Sequence, residues 1–105
     1  MDEKLKVLAQ RQAELCKVFS NEQRILITWA IDECNCTVSK IAEAIGSSLQ
    51  NTSQHLNLMR DKGVLASRRE GREIYYRIIE DEAVQNCQVV KSHPSLFTQK
   101  ENYHD

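Results

Sequence analysis

The sequence predicts a mainly α-helical domain closed by a two-stranded β-hairpin, an α+β arrangement in the order α-α-α-α-β-β-α. Three observations carry that expectation. Apolar residues recur at helical intervals through residues 2–62, the period drops to two between Glu73 and Ile78, and the three glycines stand where one pattern gives way to the next. A chain of 105 residues supports one hydrophobic core and is too short for two comfortable ones. Residues 1–93 are therefore read as a single domain and residues 94–105 as a C-terminal tail free to be flexible.

In the first helix, residues 2–19, Leu5, Leu8, Leu15 and Phe19 fall at helical spacing and are expected to face inward, with Lys4, Lys6 and Arg11 partly solvated. Ser20 and Gln23 have the spacing of a capping box, so a second helix is expected over residues 21–32 with Ile25, Leu26, Trp29 and Ala30 inward. After the polar break ECNCT, Thr37 caps a short third helix over residues 38–45 whose inward residues are Val38, Ile41, Ala42 and Ile45, and Gly46 stops it. Ser47 or Ser48 caps the fourth helix, which runs to residue 62 with Leu49, Thr52, Leu56 and Met59 inward and Gly63 as the left-handed residue past its end. Residues 65–69 then pair with the alternating stretch Ile74, Tyr76 and Ile78 about a Glu70-Gly71 turn. Asp81 opens a last helix through residue 91, which Pro94 ends or kinks.

Composition narrows the function classes. With 41% hydrophobic and 28% charged residues the chain fits an ordinary soluble globular protein. No stretch approaches the roughly 20 apolar residues that cross a bilayer. The opening MDEKLKVLAQRQ carries acids where a signal peptide has an apolar core, so a cytoplasmic protein without a membrane partner is expected. No Ser-His-Asp grouping or Gly-rich phosphate loop is present, and no residue is assigned a catalytic role. The net charge of −1 is unevenly spread: residues 47–77 hold six Lys/Arg against three Asp/Glu, whereas residues 78–105 hold two against five. Positive charge gathers on the fourth helix and the hairpin.

Two short helices joined by a tight Gly-Ser turn, the second bearing Ser48, Gln50, Asn51, Ser53, Gln54 and Asn57, make a helix-turn-helix. A helix that enters the DNA major groove, about 12 Å wide, must both donate and accept hydrogen bonds at base edges. Amides and hydroxyls do both, whereas an ordinary surface helix prefers Glu and Lys. Arg68, Arg69 and Arg72 at the hairpin, together with Lys62, supply cations for phosphates or a neighbouring minor groove. The alternative is a protein-interaction module of the same shape without DNA-binding activity. Overall acidity favours it, and the positive segment and amide-rich face oppose it.

Over roughly residues 15–80 the chain resembles the winged helix-turn-helix core of the ArsR/SmtB family of bacterial and archaeal repressors. SQHLNLMRDKGV and RREGREIYYRI carry the resemblance most specifically, and FSNEQRILI resembles the family's entry into its second helix. The resemblance implies a homodimer built on the first and last helices, which represses by binding double-stranded DNA at an imperfect palindrome and leaves when an effector binds. By position, Ser48, Gln50, Asn51, Ser53 and Gln54 match the family's base- and backbone-contacting residues, and His55 matches the histidine of its Ser-x-His-Leu motif. Leu49 departs from the polar residue many relatives carry and is assigned to packing at the helix start.

Four cysteines in a chain without a secretion signal make structural disulfides a poor default, and sensing becomes the question. Cys34 and Cys36 could share a soft metal, but the metal cysteines of relatives would fall on Thr37 and Ser39, three residues downstream. Two thiolates also need a third ligand, such as Cys16 or Cys87 of another subunit. The last-helix metal site of other relatives is not matched either, since no acid precedes His93 at the required spacing before His104. Relatives that sense oxidants or reactive sulfur pair a second-helix cysteine with one in the last helix, a role Cys87 suits with Cys34 or Cys36 as partner. Cys34, Cys36 and Cys87 are therefore the candidate sensor residues, the effector being a thiophilic metal ion, an oxidant or none. Cys16, between Leu15 and Phe19, is expected to be a small buried apolar residue.

Overall fold

The computed structural model describes residues 1–91, and Pro94, His93, His104 and the tail expected at 94–105 lie outside them. The elements are α1 (Glu3–Val18), α2 (Glu22–Glu33), α3 (Val38–Ile45), α4 (Leu49–Asp61), β1 (Leu65–Glu70), β2 (Glu73–Ile78), α5 (Glu82–Gln85) and α6 (Gln88–Lys91). The expected order holds, with the last helix divided into two short turns.

The boundaries follow from local chemistry. Thr37 and Ser48 cap α3 and α4, their hydroxyl oxygens accepting from the backbone N–H of Lys40 and Asn51 at 3.4 and 3.0 Å. Gly63 adopts φ 75°, which lets Val64 N–H return to the Met59 carbonyl at 2.9 Å and closes α4 against the hairpin. At α2 the cap is Asn21, whose side-chain oxygen accepts from Arg24 N–H, while the Ser20 hydroxyl donates backward to the Lys17 carbonyl at 2.7 Å. The expected Ser20–Gln23 box is thus replaced by a cap one residue later.

The hairpin pairs Leu65 with Ile78 and Glu70 with Glu73, leaving Gly71 and Arg72 as the two central turn residues. Gly71 has φ 63° and Arg72 does not have positive φ, the pattern of a II′ hairpin turn with glycine first. The turn is therefore one residue further along than Glu70-Gly71. Thr37 bridges to Tyr75 on the far side of β2, so the residue that caps α3 is held against the hairpin.

The core gathers Leu15 and Val18 of α1, Ile27 and Ala30 of α2, Ile41 of α3, Leu56 and Met59 of α4, Val64, Leu65 and Tyr76 of the hairpin, and Val84 and Val90 of the last turns. Truncating a side chain buried this deeply, Leu56 or Met59 for example, removes about 2–5 kcal/mol. The stripe expected on α2 is shifted: Ile27, Thr28, Ala30 and Ile31 are buried, and Ile25, Leu26 and Trp29 are half-buried. The reason is that α2 packs against α3, α4, α6 and β2 together, so more than one face is covered. Leu5 and Leu8, expected inward, are 57% and 50% exposed, and Cys16 is exposed rather than buried. Only the C-terminal part of α1 meets its own protomer's core.

The last helix breaks at Asn86 and Cys87 because its halves have different partners. Asp81 caps α5, accepting from Ala83 N–H at 2.9 Å, and α5 packs on α1. α6 packs on α2, where the Trp29 indole N–H donates to the Val89 carbonyl at 2.9 Å.

Candidate nucleic-acid interface

On α4 the buried residues are Thr52, Leu56 and Met59, which puts Gln50, Gln54 and Asn57 on the opposite, exposed face. Asn51 is exposed beside them, and Ser53 and His55 are half-buried at the two flanks. Ser48 is exposed, its oxygen occupied as the helix cap and its hydroxyl proton still available to an acceptor. The hydroxyl of Thr52 turns inward to the Ser48 carbonyl at 2.8 Å, satisfying the one buried polar side chain of the helix. Ser48, Gln50, Asn51, Gln54 and Asn57 thus share one solvent-facing surface, as the sequence suggested.

Leu49 does not pack at the helix start. It is 54% exposed, in the first turn of α4, beside a shallow recess it shares with Val38, Ser39, Ser53, Arg72, Glu73 and Ile74. The recess joins the reading helix to the hairpin.

His55 is held by a residue the sequence reading missed. Arg24 of α2 donates from Nε to His55 Nδ1 at 3.3 Å and from a terminal nitrogen to the Val18 carbonyl. Burial, and secondarily the Arg24 charge, lower the His55 pKa from its ordinary 6.5. With Nδ1 accepting, the neutral ring carries its proton on Nε2 and presents a donor.

The hairpin cations are not equivalent. Arg68 is committed within the protomer: it pairs with Glu70 at 2.6 Å, lies over the Tyr75 ring at 4.8 Å and donates to the Asn35 side chain at 3.4 Å. Arg69 and Arg72 are exposed and have no ion-pair partner among the described residues. Lys62 stands apart from them at the other end of α4, 3.8 Å from Glu14. There Arg11 of α1 donates to the carbonyls of Lys62 and Gly63 and pairs with Asp81 at 3.1 Å. Arg11 reaches Lys62 and Asp81 across 51 and 70 residues and Arg24 reaches His55 across 31, and no local pattern in the sequence marks them.

Among the cysteines, the sulfurs of Cys34 and Cys36 are paired with each other, while Cys16 and Cys87 are free thiols. Cys87 is therefore not joined to either. Among the described residues no group of three or more His, Cys, Asp or Glu side chains could hold a metal ion. The pair brackets Asn35, the residue that receives Arg68 from the hairpin.

A helix-turn-helix with an exposed amide face, followed by a β-hairpin carrying free arginines, defines a winged-helix DNA-binding regulator. The chain is 36% identical over 81 residues to an HTH-type transcriptional regulator of Escherichia coli strain K12, YgaV, covering 76% of this chain and 81% of that protein. It is 30% identical over 77 residues to the biofilm growth-associated repressor of Xylella fastidiosa strain Temecula1, covering 73% and 68%. Its structure matches, with a TM-score of 0.69 and 29% identity over 100% of this chain and 95% of the other, a homodimeric winged helix-turn-helix DNA-binding domain from Mycobacterium bovis, a possible ArsR-family transcriptional regulator. No family model matches the chain. The protein belongs to the ArsR/SmtB family of winged helix-turn-helix transcriptional regulators.

Proposed function

We propose that the chain works as a homodimeric, cytoplasmic repressor that reads an imperfect palindromic operator and lets it go when Cys34 and Cys36 change oxidation state. The observation that carries the reading is the exposed surface of Ser48, Gln50, Asn51, Gln54 and Asn57 standing beside the unpaired Arg69 and Arg72. Base edges are read by the amides, with Ser53 and His55 at the flanks, and phosphates are held by Arg69 and Arg72. Arg68 and Lys62 add charge at the margins, their side chains being shared with Glu70 and Glu14.

Dimerisation is supported by α1. Val7, Leu5 and Leu8 leave an apolar strip exposed, and it continues into a groove lined by Arg11, Asp81 and Ala83. A two-fold partner on the first and last helices would cover that strip and set two reading helices about one DNA turn apart.

For the effector, oxidation of the two thiols to a disulfide gives two electrons and two protons to an oxidant such as a peroxide. Asn35 lies between the two cysteines in the chain and its side-chain oxygen accepts from Arg68, which gives the change a route to the hairpin. Selection of bound duplexes from a random pool should enrich paired half-sites. Retention of no duplex returns the protein-interaction alternative, and equal retention of every sequence overturns the sequence-reading role of α4. Replacing both cysteines, C34S with C36S, should preserve operator binding and abolish release by peroxide; unchanged release discards this pair. A parallel arm with cadmium tests a metal as effector in place of an oxidant.

A further inference from the structure

Among the described residues five large apolar side chains are strongly exposed, and four of them, Met1, Leu5, Val7 and Leu8, belong to the N-terminal segment and α1. The fifth, Leu49, stands by itself on the reading helix. It is the first residue of α4, directly after the Ser48 cap, with Gln50 exposed next to it and Ser53 one turn further along the same side. Its neighbours in the recess cover it only in part, and among the described residues it keeps 54% of its surface open to water. The surface around it is otherwise built for hydrogen bonds, which makes one apolar group there a means of telling apart bases that hydrogen bonds treat alike.

In the major groove a single base substituent is apolar, the 5-methyl of thymine. A helix that enters the groove by its N-terminal residues brings its first turn against the base edges. We propose that Leu49 is a specificity-determining residue that reads a thymine methyl in each half-site, resting on the DNA-reading role of α4 proposed above. The recess formed by Leu49 with Ser53, Ser39 and Arg72 fits this use: Arg72 and the hydroxyls can hold the backbone and neighbouring edges while the leucine covers the methyl. Removing one methyl group from such a contact forfeits about fourfold in affinity per half-site.

The test replaces thymine by deoxyuridine, which keeps every hydrogen-bonding group and loses only the methyl. Using the full-length protein and a duplex it has itself selected from a random pool, each thymine pair related by the two-fold is replaced in turn. The wild-type protein should lose affinity at one thymine per half-site, about fifteenfold when both are replaced, and L49A should bind the thymine and deoxyuridine duplexes alike. Because Leu49 is exposed, L49A should unfold at the wild-type temperature, which separates a reading role from a structural one. The proposal is overturned if no deoxyuridine position weakens the wild-type protein, if L49A keeps the same preference, or if L49A weakens both duplexes equally. If the pool yields no selected duplex, the DNA-reading function itself fails, and this inference fails with it.

Discussion

Two of the exposed surfaces of this small domain are opposite in chemistry. The N-terminal part of α1 exposes Leu5, Val7 and Leu8, whereas the outer face of α4 exposes Gln50, Asn51, Gln54 and Asn57 with Arg69 and Arg72 nearby. Exposure alone would rank them together. The type of exposed atom separates them, because apolar area gains by leaving water and so suits a protein surface, while amides and guanidinium groups retain their value only against a partner that returns hydrogen bonds and negative charge. Among the described residues Leu49 crosses between the two chemistries, an apolar group on the polar surface.

The division can be broken most severely at α1. Leu5→Glu with Leu8→Glu should convert a dimer into a monomer by light scattering and reduce operator affinity by about 10² to 10⁴, since the second half-site no longer benefits from being tethered to the first. A double variant that remains dimeric would dissolve the comparison. On the other surface, Gln54→Ala should cost about 1–3 kcal/mol of discrimination at one base pair per half-site while leaving the mass of the assembly unchanged. Competition between the selected duplex and its single-base variants measures this. Arg72→Ala should act more gently and without regard to sequence, lowering the slope of log affinity against log salt by about 1 for each half-site. Sequence-selective loss from Arg72→Ala would exchange the two roles.

The smallest effect is a pH dependence that belongs to the seam between α2 and α4. The folded state lowers the His55 pKa below 6.5, so the unfolded chain binds more protons as pH falls through that value. Stability from this group is therefore complete above 6.5 and is lost as pH drops toward the folded pKa. Calorimetric melting between about pH 8 and pH 5 should show the decline, and His55→Gln should flatten it. An unchanged slope in that variant would assign the decline to another group.

Legibility in the sequence tracked how local the cause was. Thr37, Ser48, Gly46 and Gly63 act within four residues of themselves, and all four boundaries stand where composition put them. The amide face of α4 was legible for the same reason, since helical spacing alone turns Gln50, Gln54 and Asn57 to one side. What failed depends on partners distant in the chain. The stripe on α2 was misplaced because four elements surround that helix, and the break in the last helix follows from a bond between Trp29 and Val89, 60 residues apart. Leu5 and Leu8 show a different limit: amphipathic spacing says that a face is apolar and is silent on whether the cover comes from the same chain. Leu49 has the helical spacing of the buried stripe because it sits one turn before Thr52, yet its neighbours across the recess, Val38, Arg72 and Ile74, leave it 54% exposed.

Arg11 turns these separate surfaces into one lever. Its guanidinium rivets α1 to the trailing end of α4 and to the start of α5, so a partner settling against the open strip of α1 would meet the helix carrying Gln50 and Gln54 through this one joint. A 13-residue helix is roughly 20 Å long, and a rotation of about ten degrees at the riveted end swings its tip by about 3 Å, the length of a hydrogen bond. A tilt of that size, passed on by a partner leaning on α1, would move every amide on that helix at once.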